Sequence, residues 1–126
     1  MYLRLSKFTV PAGSQSADPG SEQVMIHMRL FNGSHRGGDI AFGPDGFLYV
    51  PIGDQFRYET AQDTAANLEG GVLRLDVDQD PARSHPPVRT RPVGASDEFS
   101  GVGYWIPNDN PFPSPSGATF EEYWTL

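Results

Sequence analysis

Residues 38–53 read GDIAFGPDGFLYVPIG, and this stretch decides the fold class. Two short apolar runs, 40–42 and 47–52, flank the tetrapeptide GPDG at 43–46. Proline presets φ at about −65°, aspartate bonds to the neighbouring backbone, and glycine supplies a positive φ, so this tetrapeptide predicts a tight turn. The stretch therefore predicts an antiparallel β-hairpin. Because Pro51 has no amide hydrogen, we expect it at an edge, a bulge or a strand end.

Three further segments, 2–10, 23–30 and 72–77, alternate apolar and polar residues with the period of two that is typical of strands. In the segment 23–30 we expect the apolar members to share one face, and these are Val24, Ile26, Met28 and Leu30. Long loops are predicted at 53–70, with possible helical character over 60–68, and at 79–102, which is polar and rich in proline and arginine. The pattern predicts an all-β chain.

The composition favours short strands joined by turns, since 14 glycines and 12 prolines among 126 residues are too many for a helical bundle. A net charge of −7 disfavours a nucleic-acid partner, because a phosphate backbone needs a basic surface. The absence of cysteine excludes disulfides and thiol chemistry. Apolar runs are too short for a membrane span, and the first residues do not resemble a signal peptide.

The length predicts an incomplete architecture. Hairpins at this spacing are compatible with propeller blades of about 40–50 residues. A closed propeller needs at least about four such blades, and 126 residues supply only two to three. We therefore expect one incomplete domain over 1–126, which would be a piece of a longer protein.

The hairpin register predicts a candidate site at its open end. With the turn centred near Asp45, the numbers of paired residues sum to about 90, which places His35 opposite Gln55 and one step from Asp54. A site here would combine the imidazole of His35, the carboxylate of Asp54 to orient it, and Arg57 to bind an anion. The alternative is that 32–38 is only a flexible turn and that Asp54 caps a loop.

Two acidic clusters resemble metal sites only superficially. Asp76, Asp78 and Asp80 alternate, but a calcium loop that began at Asp76 would need glycine at its sixth position, where Pro81 stands. A turn after a strand is the better interpretation, and the same holds for Asn-Asp-Asn at 108–110. Asn-Gly-Ser at 32–34 matches an N-glycosylation acceptor, a short motif that also arises by chance.

The stretch HRGGDIAFGPDGFLYVPIGD at 35–54 resembles the central motif of the soluble quinoprotein glucose/sorbosone dehydrogenases. The resemblance continues, in the family's order, through LEGGVLRLDVD at 68–78, YWIPNDNPF at 104–112 and EEYWTL at 121–126. It implies a partial six-bladed β-propeller, of which this chain would hold two to three blades.

The resemblance also implies a reaction, in which the C1 hydroxyl of an aldose is oxidised by hydride transfer to pyrroloquinoline quinone (PQQ). His35 falls on the general base and Asp54 on the carboxylate that orients it, while Arg57 and Glu59 fall near the cofactor. The family uses Ca²⁺ and an external electron acceptor, and the loops that bind PQQ and Ca²⁺ would lie largely outside this chain, with no metal ligand within it. A periplasmic or secreted location is implied. The alternative is a non-catalytic propeller module of the same superfamily, kept for binding.

Overall fold

The computed structural model describes residues 1–59, 61–89 and 103–126, which form strands, turns and one short 3₁₀ helix at Pro19–Ser21. Every pairing between the described strands is antiparallel. The predicted all-β class is therefore confirmed. In chain order the strands are β1 (Tyr2–Lys7), β2 (Gln23–Arg29), β3 (Ala41–Phe42), β4 (Leu48–Ile52), β5 (Gly71–Leu75), β6 (Ser84–His85), β7 (Ile106–Pro107) and β8 (Tyr123–Thr125).

A four-stranded sheet in the order β3-β4-β5-β8 forms the centre of the fold, and its first two strands are the predicted hairpin. Ala41 pairs with Tyr49 and Phe42 with Leu48, so paired numbers sum to 90 as expected. The turn closes through a 3.0 Å hydrogen bond from the amide of Gly46 to the carbonyl of Gly43. Pro51 is the penultimate residue of β4, beyond the end of β3, which is the predicted strand-end position.

Strands β1 and β2 form a separate two-stranded sheet with an irregular register. Leu5 pairs with Ile26 and Ser6 with Val24, which leaves Met25 as an extra residue in β2. The bulge turns the Met25 side chain inward, where it is buried, whereas Val24 is only partly buried. The predicted strict alternation of 23–30 is therefore wrong at this point, because a bulge shifts the period by one residue.

A hydrophobic core joins the four-stranded sheet to the β1-β2 sheet. Its largest fully buried members are Tyr104, Phe120 and Tyr123, from the C-terminal third of the chain. They pack with buried aliphatic side chains from β1, β2, β4 and β5, which are Leu5, Met25, Ile26, Met28, Leu48, Val50, Ile52, Leu73 and Leu75. Lys7 Nζ adds polar links from β1, because it donates to the carbonyl oxygens of Val77, at 3.0 Å, and Gly103, at 3.3 Å. The four-stranded sheet is thus fixed against β1 and β2.

The long loops are more ordered than the sequence predicts. Within 79–102, residues 84–85 form β6 and pair with β7, while 90–102 lie outside the described residues. Residues 61–68 form turns rather than the possible helix. The carboxylate of Asp76 accepts hydrogen bonds from three backbone amides, at 78, 79 and 80, and from the hydroxyl of Ser84. This is the predicted turn after a strand.

The part of the chain that the structure describes contains no helix long and apolar enough to cross a membrane.

Candidate functional site: the open end of the hairpin

Two glycines allow the backbones on either side of the hairpin to approach closely at its open end. The amide of Gln55 donates to the carbonyl of His35 at 3.0 Å, and Gly37 forms an isolated bridge with Ile52. A Cβ atom on Gly37 would overlap the backbone of 51–53, and a Cβ on Gly53 would overlap the carbonyl of His35. The chain therefore needs glycine at both positions to hold His35 beside Asp54.

His35 and Asp54 form the pair that the hairpin register predicts. Nδ1 of His35 lies 2.8 Å from Oδ1 of Asp54, and the two side chains are 47% and 26% exposed. The amide of Phe56 also donates to Oδ1 of Asp54, at 3.1 Å. These two hydrogen bonds hold the pKa of Asp54 below its usual range, and the bond from Phe56 has the larger effect. Since Asp54 occupies Nδ1, Nε2 is the ring nitrogen left for a ligand.

The backbone around this pair is strained. His35, Gln55 and Phe56 have φ values of 50°, 52° and 59°, in the left-handed region that non-glycine residues seldom adopt. The rings of His35 and Phe56 stack with centroids 3.7 Å apart and planes inclined by 30°. Strain of this kind costs about 1–3 kcal/mol per residue and persists only where the surroundings impose it. Backbone strain at three residues on one pair of loops therefore marks the open end as a specialised site.

Gln55 joins this part of the chain to two other segments, although sequence reasoning gave it no role beyond a register position. Its side chain is buried, accepts a hydrogen bond from the amide of Phe31 at 2.8 Å and donates to Oε1 of Glu69 at 2.9 Å. Sequence reasoning also gave Glu69 no role. Burial raises the pKa of Glu69, although the nearby charge of Arg57 acts to lower it. The available signal was a glutamine two residues after the predicted hairpin, which is too common to single out.

Arg57 lies at the site, where it already pairs with Glu69 and packs on Phe31. Its guanidinium donates to Oε1 of the buried Glu69 at 2.9 Å and lies 4.2 Å from the ring centroid of Phe31. Glu59 is exposed. The structure brings His35 and Asp54 together and places Arg57 and Glu59 a few residues further along the same loop. A cofactor contact by Arg57 or Glu59 stays a prediction.

A cleft of about 760 Å³ opens beside His35 and Asp54, and Tyr58, Gln62 and the end of β8 are among the described residues that line it. Neither lysine nor arginine is among these lining residues. PQQ carries three carboxylates, and the described residues that line this cleft offer neither of these cationic side chains to hold them. Nor do the described residues contain a cluster of three or more histidine, aspartate and glutamate side chains that could hold a metal ion.

Three exposed aromatic side chains surround the open end, and we call Phe31, Phe56 and Tyr58 the aromatic rim. They are 56%, 45% and 69% exposed. Phe56 and Tyr58 meet edge to face with centroids 6.0 Å apart, and the guanidinium of Arg57 covers Phe31. The rim therefore presents a contiguous aromatic and cationic surface on a backbone that Gln55 holds in place.

An antiparallel all-β fold with a four-stranded sheet, and a histidine–aspartate pair on its loops, is the architecture expected of part of a β-propeller. The family model described as Glucose / Sorbosone dehydrogenase matches residues 13–104. The chain belongs to this family, and its fold is consistent with a partial β-propeller.

The curated relatives are much longer proteins. HIPL2 protein of Arabidopsis thaliana is 37% identical over 97% of this chain, and HIPL1 protein of the same plant is 35% identical over 88%. Hedgehog-interacting protein of Mus musculus is 35% identical over 86% of the chain. The chain spans 17%, 15% and 14% of these three relatives.

These relatives correct the enzymatic prediction. The resemblance implied a PQQ-dependent sugar dehydrogenase, but the mouse relative is named for interaction with Hedgehog, and none of the three relatives is named as a dehydrogenase. Membership of the family does not by itself show catalysis. The assignment of this chain as a dehydrogenase is therefore wrong, and the alternative of a binding module is better supported.

Proposed function

We propose that this chain is part of a non-catalytic propeller module that binds a protein ligand through the aromatic rim. The observation that carries the proposal is the exposure of Phe31, Phe56 and Tyr58 together on one pair of loops. Tyrosine, tryptophan and arginine are enriched among the residues that dominate binding energy in protein interfaces. The rim offers Tyr58, with Arg57 packed over Phe31, beside a histidine and an aspartate.

Hydrogen bonds also hold the backbone and Arg57 around the rim in place before a partner binds, which favours tight binding. The Gln55 side chain joins the amide of Phe31 to the carboxylate of Glu69, and Glu69 in turn holds Arg57. Side chains that are fixed before binding lose less conformational entropy when the partner arrives. A flexible loop with the same residues would bind more weakly.

The names of the animal relatives suggest which ligand to try first. Hedgehog-interacting proteins of mouse and human are each 35% identical to this chain over 86% of its length. We therefore propose a secreted protein of the Hedgehog type as the ligand and an extracellular location for the module. The periplasm that the dehydrogenase resemblance implied is not part of this proposal.

The test measures binding of a recombinant Hedgehog protein to the full-length natural protein by calorimetry. We expect Phe56→Ala and Tyr58→Ala each to weaken binding by roughly 10–100-fold, the usual effect at such positions. Phe8→Ala is the matched control, because Phe8 is 46% exposed but lies just beyond β1, outside the rim. Absence of binding by the unmodified protein would overturn the choice of ligand. Unchanged affinity in both rim variants would overturn the role of the rim.

A further inference from the structure

We propose that Asn32 is a site of N-linked glycosylation. The sequence Asn32-Gly33-Ser34 has the acceptor pattern, with no proline at the middle position. All three residues are exposed, and they lie on the connection between β2 and β3. The motif is thus accessible in the folded protein, where many chance matches to so short a pattern are buried or lie within strands.

The local geometry suits modification of the side-chain nitrogen. Oδ1 of Asn32 accepts a hydrogen bond from the amide of Ser34 at 3.1 Å, which closes a turn between the two residues that define the motif. This contact uses the carboxamide oxygen and not Nδ2, and the residue as a whole is exposed. Gly33 has no side chain, so the motif adds no bulk beside the reacting atom.

The reaction needs a donor that the secretory pathway supplies, an oligosaccharide joined through its anomeric carbon to a lipid pyrophosphate. A bond forms between Nδ2 of Asn32 and that anomeric carbon, while the bond from the same carbon to the pyrophosphate oxygen breaks. The lipid pyrophosphate leaves with the bonding electron pair, and Nδ2 gives up one proton to a base of the transferase. No oxidant or reductant takes part.

The modification would stand beside the aromatic rim, since Asn32 directly follows Phe31 and precedes His35 by three residues. This consequence rests on the proposed binding function, whereas the glycosylation itself requires only export through the secretory pathway. A glycan at Asn32 would restrict the directions from which a protein can approach the rim.

The experiment isolates the natural full-length protein after secretion from eukaryotic cells. Peptide N-glycosidase in water enriched with heavy oxygen converts a glycosylated asparagine to a labelled aspartate, which mass spectrometry locates in the peptide. We expect label at Asn32 in the unmodified protein and in Ser34→Thr, which keeps the hydroxyl group. We expect complete loss of that label in Ser34→Ala and Asn32→Gln.

Two results would overturn the proposal. One is an unlabelled Asn32 peptide from the secreted, unmodified protein. The other is label at Asn32 that persists in Ser34→Ala above the level found without the glycosidase, where Asn-Gly deamidates spontaneously, because the acceptor motif would then not be responsible. Ser34→Thr and Ser34→Ala differ at one exposed side chain, so their comparison separates loss of the motif from failure to fold. Neither result depends on whether a Hedgehog protein binds.

Discussion

Gly53 lies against the carbonyl group of His35 so closely that any side chain at position 53 would overlap it. Gly53→Ala must therefore push the two loops apart and break the hydrogen bond from Gln55 to His35. We expect a loss of roughly 1–3 kcal/mol in the free energy of unfolding, measured by urea denaturation of the full-length protein. Gly38→Ala is the control, because a Cβ there meets no atom within 4 Å. Equal stability of the two variants would contradict the close approach.

Asp54 organises its loop through two hydrogen bonds to Oδ1, one from Phe56 and one involving His35. Asp54→Ala removes the acceptor, so we expect the Phe56 amide to exchange its hydrogen roughly 5–10-fold faster, the equivalent of about 1 kcal/mol. Asp54→Asn keeps an oxygen at that position and should leave the exchange rate nearly unchanged. Hydrogen exchange followed by NMR or mass spectrometry distinguishes the two. Equal rates in both variants would show that this bond does not order the loop.

The sequence predicted the hairpin and the His35–Asp54 pair correctly because both follow from local rules. The GPDG turn fixes the register of the hairpin, and residue 35 meets residue 55 as that register predicts, although the intervening bridge joins Gly37 to Ile52, one residue out of register. No knowledge of the rest of the fold is required for either step. The family resemblance then assigned dehydrogenase chemistry to the chain, and the relatives contradict that assignment, because membership of a fold family does not fix function.

The features that the sequence did not reveal depend on contacts between distant segments. Gln55 is buried because Glu69 and the amide of Phe31 meet its side chain from two other parts of the chain. Met25 is buried because a bulge shifts β2 against β1, and no local signal marks that position. Periodicity describes one strand at a time, so it cannot report a bulge or a polar network that needs a partner.

Arg74 is buried in β5 between two carboxylates of unequal importance. It donates to Oδ2 of Asp45 at 2.8 Å and to Oδ1 of Asp109 at 2.7 Å, but Asp45 is 29% exposed and Asp109 is 72% exposed. Asp45 also accepts from the hydroxyl of Tyr49 and the amide of Phe47, within the hairpin turn. We therefore expect Asp45→Ala to cost about 2–3 kcal/mol of unfolding free energy and Asp109→Ala less than about 1 kcal/mol.

Urea denaturation of the full-length protein measures both values, with Asp18→Ala as an exposed control that lies outside the Arg74 network. Asp18 caps the 3₁₀ helix, so a small loss of its own is expected there. If Asp109→Ala lost more unfolding free energy than Asp45→Ala, then the exposed ion pair with Asp109, rather than the hairpin turn, would be what fixes the position of Arg74.

Glu122 gives the fold a pH dependence of unusual sign for a carboxyl group. Its side chain is fully buried, Oε1 accepts from the hydroxyl of Tyr104 at 2.7 Å, and Oε2 has no hydrogen-bond partner among the described residues. Burial raises its pKa from 4.5 to about 7. The folded state therefore binds this proton more tightly than the unfolded state does.

Because the folded pKa is the higher of the two, the contribution of Glu122 is fully favourable below about pH 4.5 and is lost as the pH rises through about 7. The stabilisation lost over this range is on the order of 3 kcal/mol. Glu122→Gln resembles the protonated form, so we expect it to stabilise the full-length protein at pH 8 and to have little effect at pH 4.5. Unfolding by urea across this range tests the expectation, with the exposed Glu59→Gln as control. A variant Glu122→Gln that destabilises equally at both pH values would show that the buried carboxyl group does not titrate in this window.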